Sequence, residues 1–136
     1  MKLIMGNTGS GKTTKALELG IKFAESGKKV LFFDGETSAE HYLKQILQNK
    51  KLPTGFSIFE RIHKVEDVYS KIEYGGYDVY IIDTPKLYFD LEKLNKLTSV
   101  NSIYFVLGLE NNIQPDLNKD MVIITSYEEM KSLFLR

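Results

Sequence analysis

Gly6-Asn7-Thr8-Gly9-Ser10-Gly11-Lys12-Thr13 decides how this chain folds. The eight residues satisfy G-x-x-x-x-G-K-[ST] at every fixed position, and with average residue usage that coincidence arises by chance in roughly one chain of this length in two hundred. Glycines at these places let successive backbone N–H groups turn inward around phosphate oxygens. Lys12 supplies a positive charge for the β- and γ-phosphates, the Thr13 hydroxyl can ligate magnesium, and Thr14 is expected to hold the triphosphate together with Gly9, Gly11, Lys12 and Thr13. The flanks agree with the loop. Lys2 to Met5 reads as a short buried strand, and Lys12 to Ser26 as a helix closed by Gly27.

Working outward, Val30 to Phe33 is a second apolar run, followed by Asp34-Gly35-Glu36-Thr37 and a helix whose Ala39, Tyr42, Leu43, Ile46 and Leu47 share a face. Thr37 and Glu40 have capping-box spacing at its start. Phe56 to Phe59 predicts a third strand, and Val65, Val68, Tyr69 and Ile72 predict a helix ending at Gly75 and Gly76. Val79 to Ile82 is a β-branched fourth strand ending on Asp83. A helix around Asp90 to Leu97, strands at Ser102 to Leu107 and Met121 to Ile124, and a last helix capped by Ser126 with Glu129 complete the pattern. Uninterrupted apolar strands alternating with helices predict an α/β fold in three layers, with a mainly parallel sheet of about six strands. At 136 residues the expectation is a single domain over residues 1–136.

Two carboxylates extend the phosphate loop into a candidate site. A nucleotide bound with magnesium calls for a carboxylate at a strand end, and Asp83 stands there; the alternative is an N-cap aspartate at an ordinary strand stop. Glu36 lies just past the second strand, where the ends of a parallel sheet gather around a ligand. It is either the group that activates an attacking water or a solvated loop acid.

Val30-Leu31-Phe32-Phe33-Asp34-Gly35-Glu36-Thr37-Ser38, with the short strand, acidic helix start (Val65-Glu66-Asp67) and tyrosine-rich strand (Tyr77 to Asp83) that follow, resembles the RecA-like ATPases, especially their RadA and KaiC branch. The resemblance covers residues 1–125. It implies ATP hydrolysis with Mg2+, with Glu36 and Lys12 catalytic, Thr13 and Asp83 at the metal, and a role in DNA recombination, repair or replication. Single-stranded DNA, further copies of the chain or a larger protein are the partners it implies. Thr37 stands where that branch has a second glutamate. Leu109 occupies the position of its polar γ-phosphate sensor, with Asn111 two residues away. No counterpart of its inter-subunit arginine or lysine finger is evident, since the only arginines are Arg61 and Arg136.

Eighteen basic side chains balance eighteen acidic ones, so the net field offers no general attraction to nucleic acid or anionic membrane. The chain has no cysteine, which excludes disulfides and cysteine-ligated zinc and fits a reducing compartment. The apolar run at the N-terminus is too brief for a signal peptide or a membrane span, and the expected location is cytoplasmic. The Asn-Lys-x-Asp signature of guanine recognition is unmet by Asn95-Lys96-Leu97-Thr98 or by Asn118-Lys119-Asp120, which favours ATP. His41 and His63 read as surface residues. The tyrosines and phenylalanines read chiefly as core, with stacking on single-stranded nucleic acid as the alternative. Two other functions fit the same loop: a nucleoside or nucleotide kinase of the thymidine-kinase type, and an ATP-binding module that regulates a partner without hydrolysis.

Overall fold

A computed structural model of the chain describes residues 1–7, 9–36, 38–97, 102–108 and 121–134. Strands β1 (Lys2–Gly6), β2 (Val30–Asp34), β3 (Phe56–Phe59), β4 (Val79–Asp83), β5 (Ser102–Gly108) and β6 (Ile123–Ser126) form one sheet in the order β3-β2-β4-β5-β1-β6. The first five are parallel and β6 runs antiparallel to β1. Helices α1 (Lys12–Glu25), α2 (Ala39–Leu47), α3 (Val65–Tyr74), α4 (Leu91–Lys96) and α5 (Tyr127–Phe134) provide the outer layers.

The strands are apolar throughout because both of their faces are covered. Alternate residues point to opposite sides of the sheet. Leu3, Leu31, Phe33, Tyr80 and Ile82 therefore pack with Val68 and Ile72 of α3 and Leu94 of α4, while Ile4, Val30, Phe32, Val79 and Ile81 pack with Ala16, Leu17 and Ile21 of α1 and Leu43 of α2. Most of the aromatic residues join these cores, as expected; Tyr74 and Tyr88 instead stand in solvent at 91% and 98% exposure.

Close packing of α1 on the sheet depends on Gly20. A Cβ there would lie 2.5 Å from Phe56 Cε2 and 3.1 Å from Ile81 Cδ1. Gly20→Ala is expected to cost about 1–3 kcal/mol in overpacking and to recover about 1 kcal/mol of helix propensity. A thermal melt should thus show a net loss of a few degrees, and a higher melting temperature would contradict the close-contact account.

Two local expectations change. The last strand begins two residues later than Met121 and extends to Ser126, because Ile123 to Ser126 are the residues in register with Met5 to Lys2. Ser126 still caps α5, its hydroxyl accepting the Glu129 N–H at 3.1 Å. At α2 the preceding residue is Ser38, with no side-chain cap of its own, and the Ala39 N–H is taken by the Asp34 carboxylate at 2.9 Å. Thr37 lies outside the described residues.

Candidate phosphate site

The C-terminal ends of the parallel strands meet at one edge of the sheet. There Gly6 is in register with Gly108, and Asp34 with Asp83. The loop from Gly6 to Lys12 crosses this edge. Its turns use left-handed backbone at Gly9 (φ 80°) and Gly11 (φ 91°), a region that a side chain would strain. The Asn7 carbonyl accepts the Ser10 N–H at 3.1 Å, and the Gly11 carbonyl accepts the Lys15 N–H at 2.9 Å to open α1.

The cleft beside the loop has a volume of about 320 Å³, and Gly9, Gly11, Lys12, Thr13, Thr14, Glu36 and Asp83 are among the residues that line it. Of the residues expected in the phosphate loop, Thr8 lies outside the described set. Gly6 is buried beneath the loop, where an added Cβ would come 2.5 Å from Ser10 Oγ. The Lys12 ammonium donates to the Asn7 carbonyl at 3.0 Å. Burial lowers its pKa, against the opposing pull of Asp83 and Glu36. Thr13 Oγ1 donates to Asp83 Oδ2 at 2.7 Å, joining residues seventy positions apart.

Asp83 is the strained charge of the site. It is 7% exposed, and its pKa is pushed up to about 6, chiefly by burial and further by the neighbouring Glu36 and Asp34 carboxylates, although the Thr13 hydroxyl and Lys12 pull it down. A buried carboxylate held among other carboxylates, with a hydroxyl on one oxygen, is a donor set suited to a small hard cation. One or two protein oxygens suffice for an ion that takes its remaining ligands from phosphate and water. No cluster of three or more histidine, cysteine, aspartate or glutamate residues suited to a metal occurs among the described residues. His41 is exposed with its ring edge-on to Tyr42, and His63 is also exposed.

The raised pKa has a consequence for stability. The folded state holds the Asp83 proton more tightly than the unfolded chain does, so this stabilisation is complete below about pH 3.8 and is lost as pH rises through about 6. A shift of that size corresponds to about 3 kcal/mol. Asp83→Asn removes the penalty of the buried charge. In metal-free protein the variant should melt above wild type at pH 8, with the gap closing toward pH 4; a gap that does not depend on pH would refute this origin.

Asp34, given no role in the sequence, holds the backbone of the segment that carries Glu36. Almost wholly buried, its carboxylate accepts the Glu36 N–H at 3.2 Å and the Ala39 N–H at 2.9 Å. The Gly35 N–H reaches across to the Asp83 carbonyl at 2.8 Å. The segment carrying Glu36 is thereby tied to two strand ends. The available signal was an aspartate at a strand end followed by glycine, a pattern in which the aspartate side chain bonds backbone two residues on. Asn95 Oδ1 accepts a hydrogen bond from the N-terminal ammonium at 3.1 Å. Leu109, Asn111 and Arg136 lie outside the described residues.

The profile of the CobQ/CobB/MinD/ParA nucleotide binding domain matches residues 3–134, which include every residue of this cleft. The chain is also similar to the DNA repair and recombination protein RadB of Methanococcoides burtonii, at 30% identity over 151 aligned positions. That alignment covers 98% of this chain and 64% of the RadB protein, so the chain spans less than two thirds of the relative's length. No helix among the described residues is long and apolar enough to cross a membrane.

Proposed function

We infer, because the chain belongs to the CobQ/CobB/MinD/ParA nucleotide-binding domain family, that its cleft binds ATP with magnesium and hydrolyses the γ-phosphate. The observation that carries this reading is the meeting, at one strand edge, of Lys12, the hydrogen-bonded Thr13–Asp83 pair and Glu36. In this reading the backbone N–H groups of residues 9–14 and the N-terminus of α1 hold the β- and γ-phosphates. The Lys12 ammonium exchanges the Asn7 carbonyl for a phosphate oxygen. Thr13 and Asp83 hold magnesium, which when bound neutralises charge on the β- and γ-phosphate oxygens.

Glu36 then accepts a proton from a water as its oxygen forms a bond to the γ-phosphorus. The bond from the γ-phosphorus to the bridging oxygen breaks, and ADP and phosphate leave. Asp34 acts as a positioning residue, holding the Glu36 backbone through its own carboxylate.

The resemblance to the RadA and KaiC branch, together with the name of the RadB relative, supports a role in DNA recombination, repair or replication for a single domain of residues 1–136, with single-stranded DNA and further copies of the chain or a larger protein as partners. Phosphate release measured alone, with single-stranded DNA and with duplex DNA tests both levels. Release that rises with single-stranded DNA supports the full reading. If DNA neither binds nor alters the rate, the recombination role fails while nucleotide hydrolysis stands; tight ATP binding with background release would instead indicate a regulatory module.

A further inference from the structure

By its spacing Tyr42 belongs to the apolar face of α2, and its ring does pack against the apolar cluster that α1 and α2 form on the sheet. The structure gives it a second environment. Tyr42 also lines the phosphate cleft, together with Lys12, Thr13, Glu36 and Asp83. A helical Cα–Cβ bond tilts toward the N-terminus of its own helix, and α2 starts at Ala39, just after the segment that carries Glu36. The side chain therefore leans toward the strand edge where Glu36 stands. His41 lies edge-on to its ring, at 5.6 Å between centroids and 69° between planes.

The ring is held while the hydroxyl stays accessible. Among the described residues, the side-chain oxygens both sealed from solvent and without a hydrogen-bond partner belong to Ser10, Tyr80 and Thr84. Tyr42 is only partly buried and makes no hydrogen bond through its side chain to a described residue, so its oxygen meets open space. The cleft is short of such donors. Glu36 and Asp83 bring acceptors, the Thr13 proton is given to Asp83, and Lys12 is the one cationic side chain that lines the cleft among the described residues.

We propose that Tyr42 is a specificity-determining residue of the nucleotide site, its hydroxyl donating to an oxygen of the γ-phosphate so that the cleft distinguishes a nucleoside triphosphate from a diphosphate. This rests on the nucleotide reading of the cleft and adds a contact that α2 supplies from outside the phosphate loop. With the triphosphate bound, the hydroxyl exchanges water for a charged acceptor; with the diphosphate it remains in water. A neutral donor suits this place. A cation there would also pair with Glu36 and lower its basicity, whereas a phenol offsets phosphate charge and leaves the carboxylate able to take a proton.

The test is calorimetric titration of wild type and Tyr42→Phe with ADP and with a non-hydrolysable ATP analogue, each with magnesium. Phenylalanine keeps the ring and its packing and removes only the donor. Loss of a hydrogen bond to a charged group should weaken the ATP analogue about ten- to a hundredfold and leave ADP unchanged. The readout is the ratio of the two affinities, which a merely structural role for Tyr42 would not move. A melt confirms that the variant folds. An unchanged ratio in Tyr42→Phe overturns the proposal and leaves nucleotide binding by the cleft intact. So does equal weakening of both nucleotides by Tyr42→Ala with Tyr42→Phe like wild type, which would assign the ring, and not the hydroxyl, to the ligand. Wild type that binds neither nucleotide overturns both readings.

Discussion

Glu36→Gln is expected to lower phosphate release by about 10²–10⁴-fold, the usual contribution of a positioned general base, while nucleotide affinity is retained. The two effects separate for electrostatic reasons. The amide cannot accept the proton of an attacking water. It also removes one of the negative charges that raise the Asp83 pKa, which eases ionisation of Asp83 and does not weaken its hold on magnesium. Glu36 is exposed, and Asp34 holds its backbone N–H, which the substitution leaves in place. Single-turnover phosphate release and titration with a fluorescent ATP analogue measure the two quantities. Release within a few-fold of wild type would remove Glu36 from the role of base.

Lys12→Ala should abolish both properties. A preorganised donor aimed at developing charge is worth on the order of 10²–10³ in rate, and Lys12 is also the only cationic side chain lining the cleft among the described residues. Without it the β- and γ-phosphates meet Asp83 and Glu36 with no opposing side-chain charge, so nucleotide affinity should fall along with turnover. The fold should tolerate the change, since burial already disfavours the Lys12 ammonium in the free protein. Wild-type melting combined with lost nucleotide binding is the expected result. Retained binding with magnesium would mean that the backbone amides alone hold the phosphates.

Comparing these two variants separates nucleotide binding from phosphate release. Should wild type bind ATP tightly yet release phosphate slowly, Glu36→Gln will show little further loss, whereas Lys12→Ala will still abolish binding.

The parts of this molecule legible in the sequence are those governed by neighbours along the chain. Val30 to Phe33 and Val79 to Ile82 announce strands covered on both faces because every residue in them is apolar, and the structure divides each by alternate residues between the two helical layers. Ser126 announces the cap of α5 through its spacing to Glu129. Gly9 and Gly11 announce a loop with left-handed turns. Asp34 was not legible as a positioning residue, because its role depends on where the Glu36 and Ala39 amides lie once α2 has docked.

By itself, then, the sequence determined the strand–loop–helix order, the α/β class and the eight-residue phosphate loop, since φ preferences, caps and apolar periodicity act over a few residues. Only the tertiary structure decided that β6 runs antiparallel, that Asp34 and Asp83 lie in register and that Thr13 bonds to Asp83 across seventy residues. The reason is physical: a strand's composition specifies which faces it must bury, but its neighbour and direction are chosen by the joint packing of both helical layers and by the hydrogen-bond ladder that this packing permits.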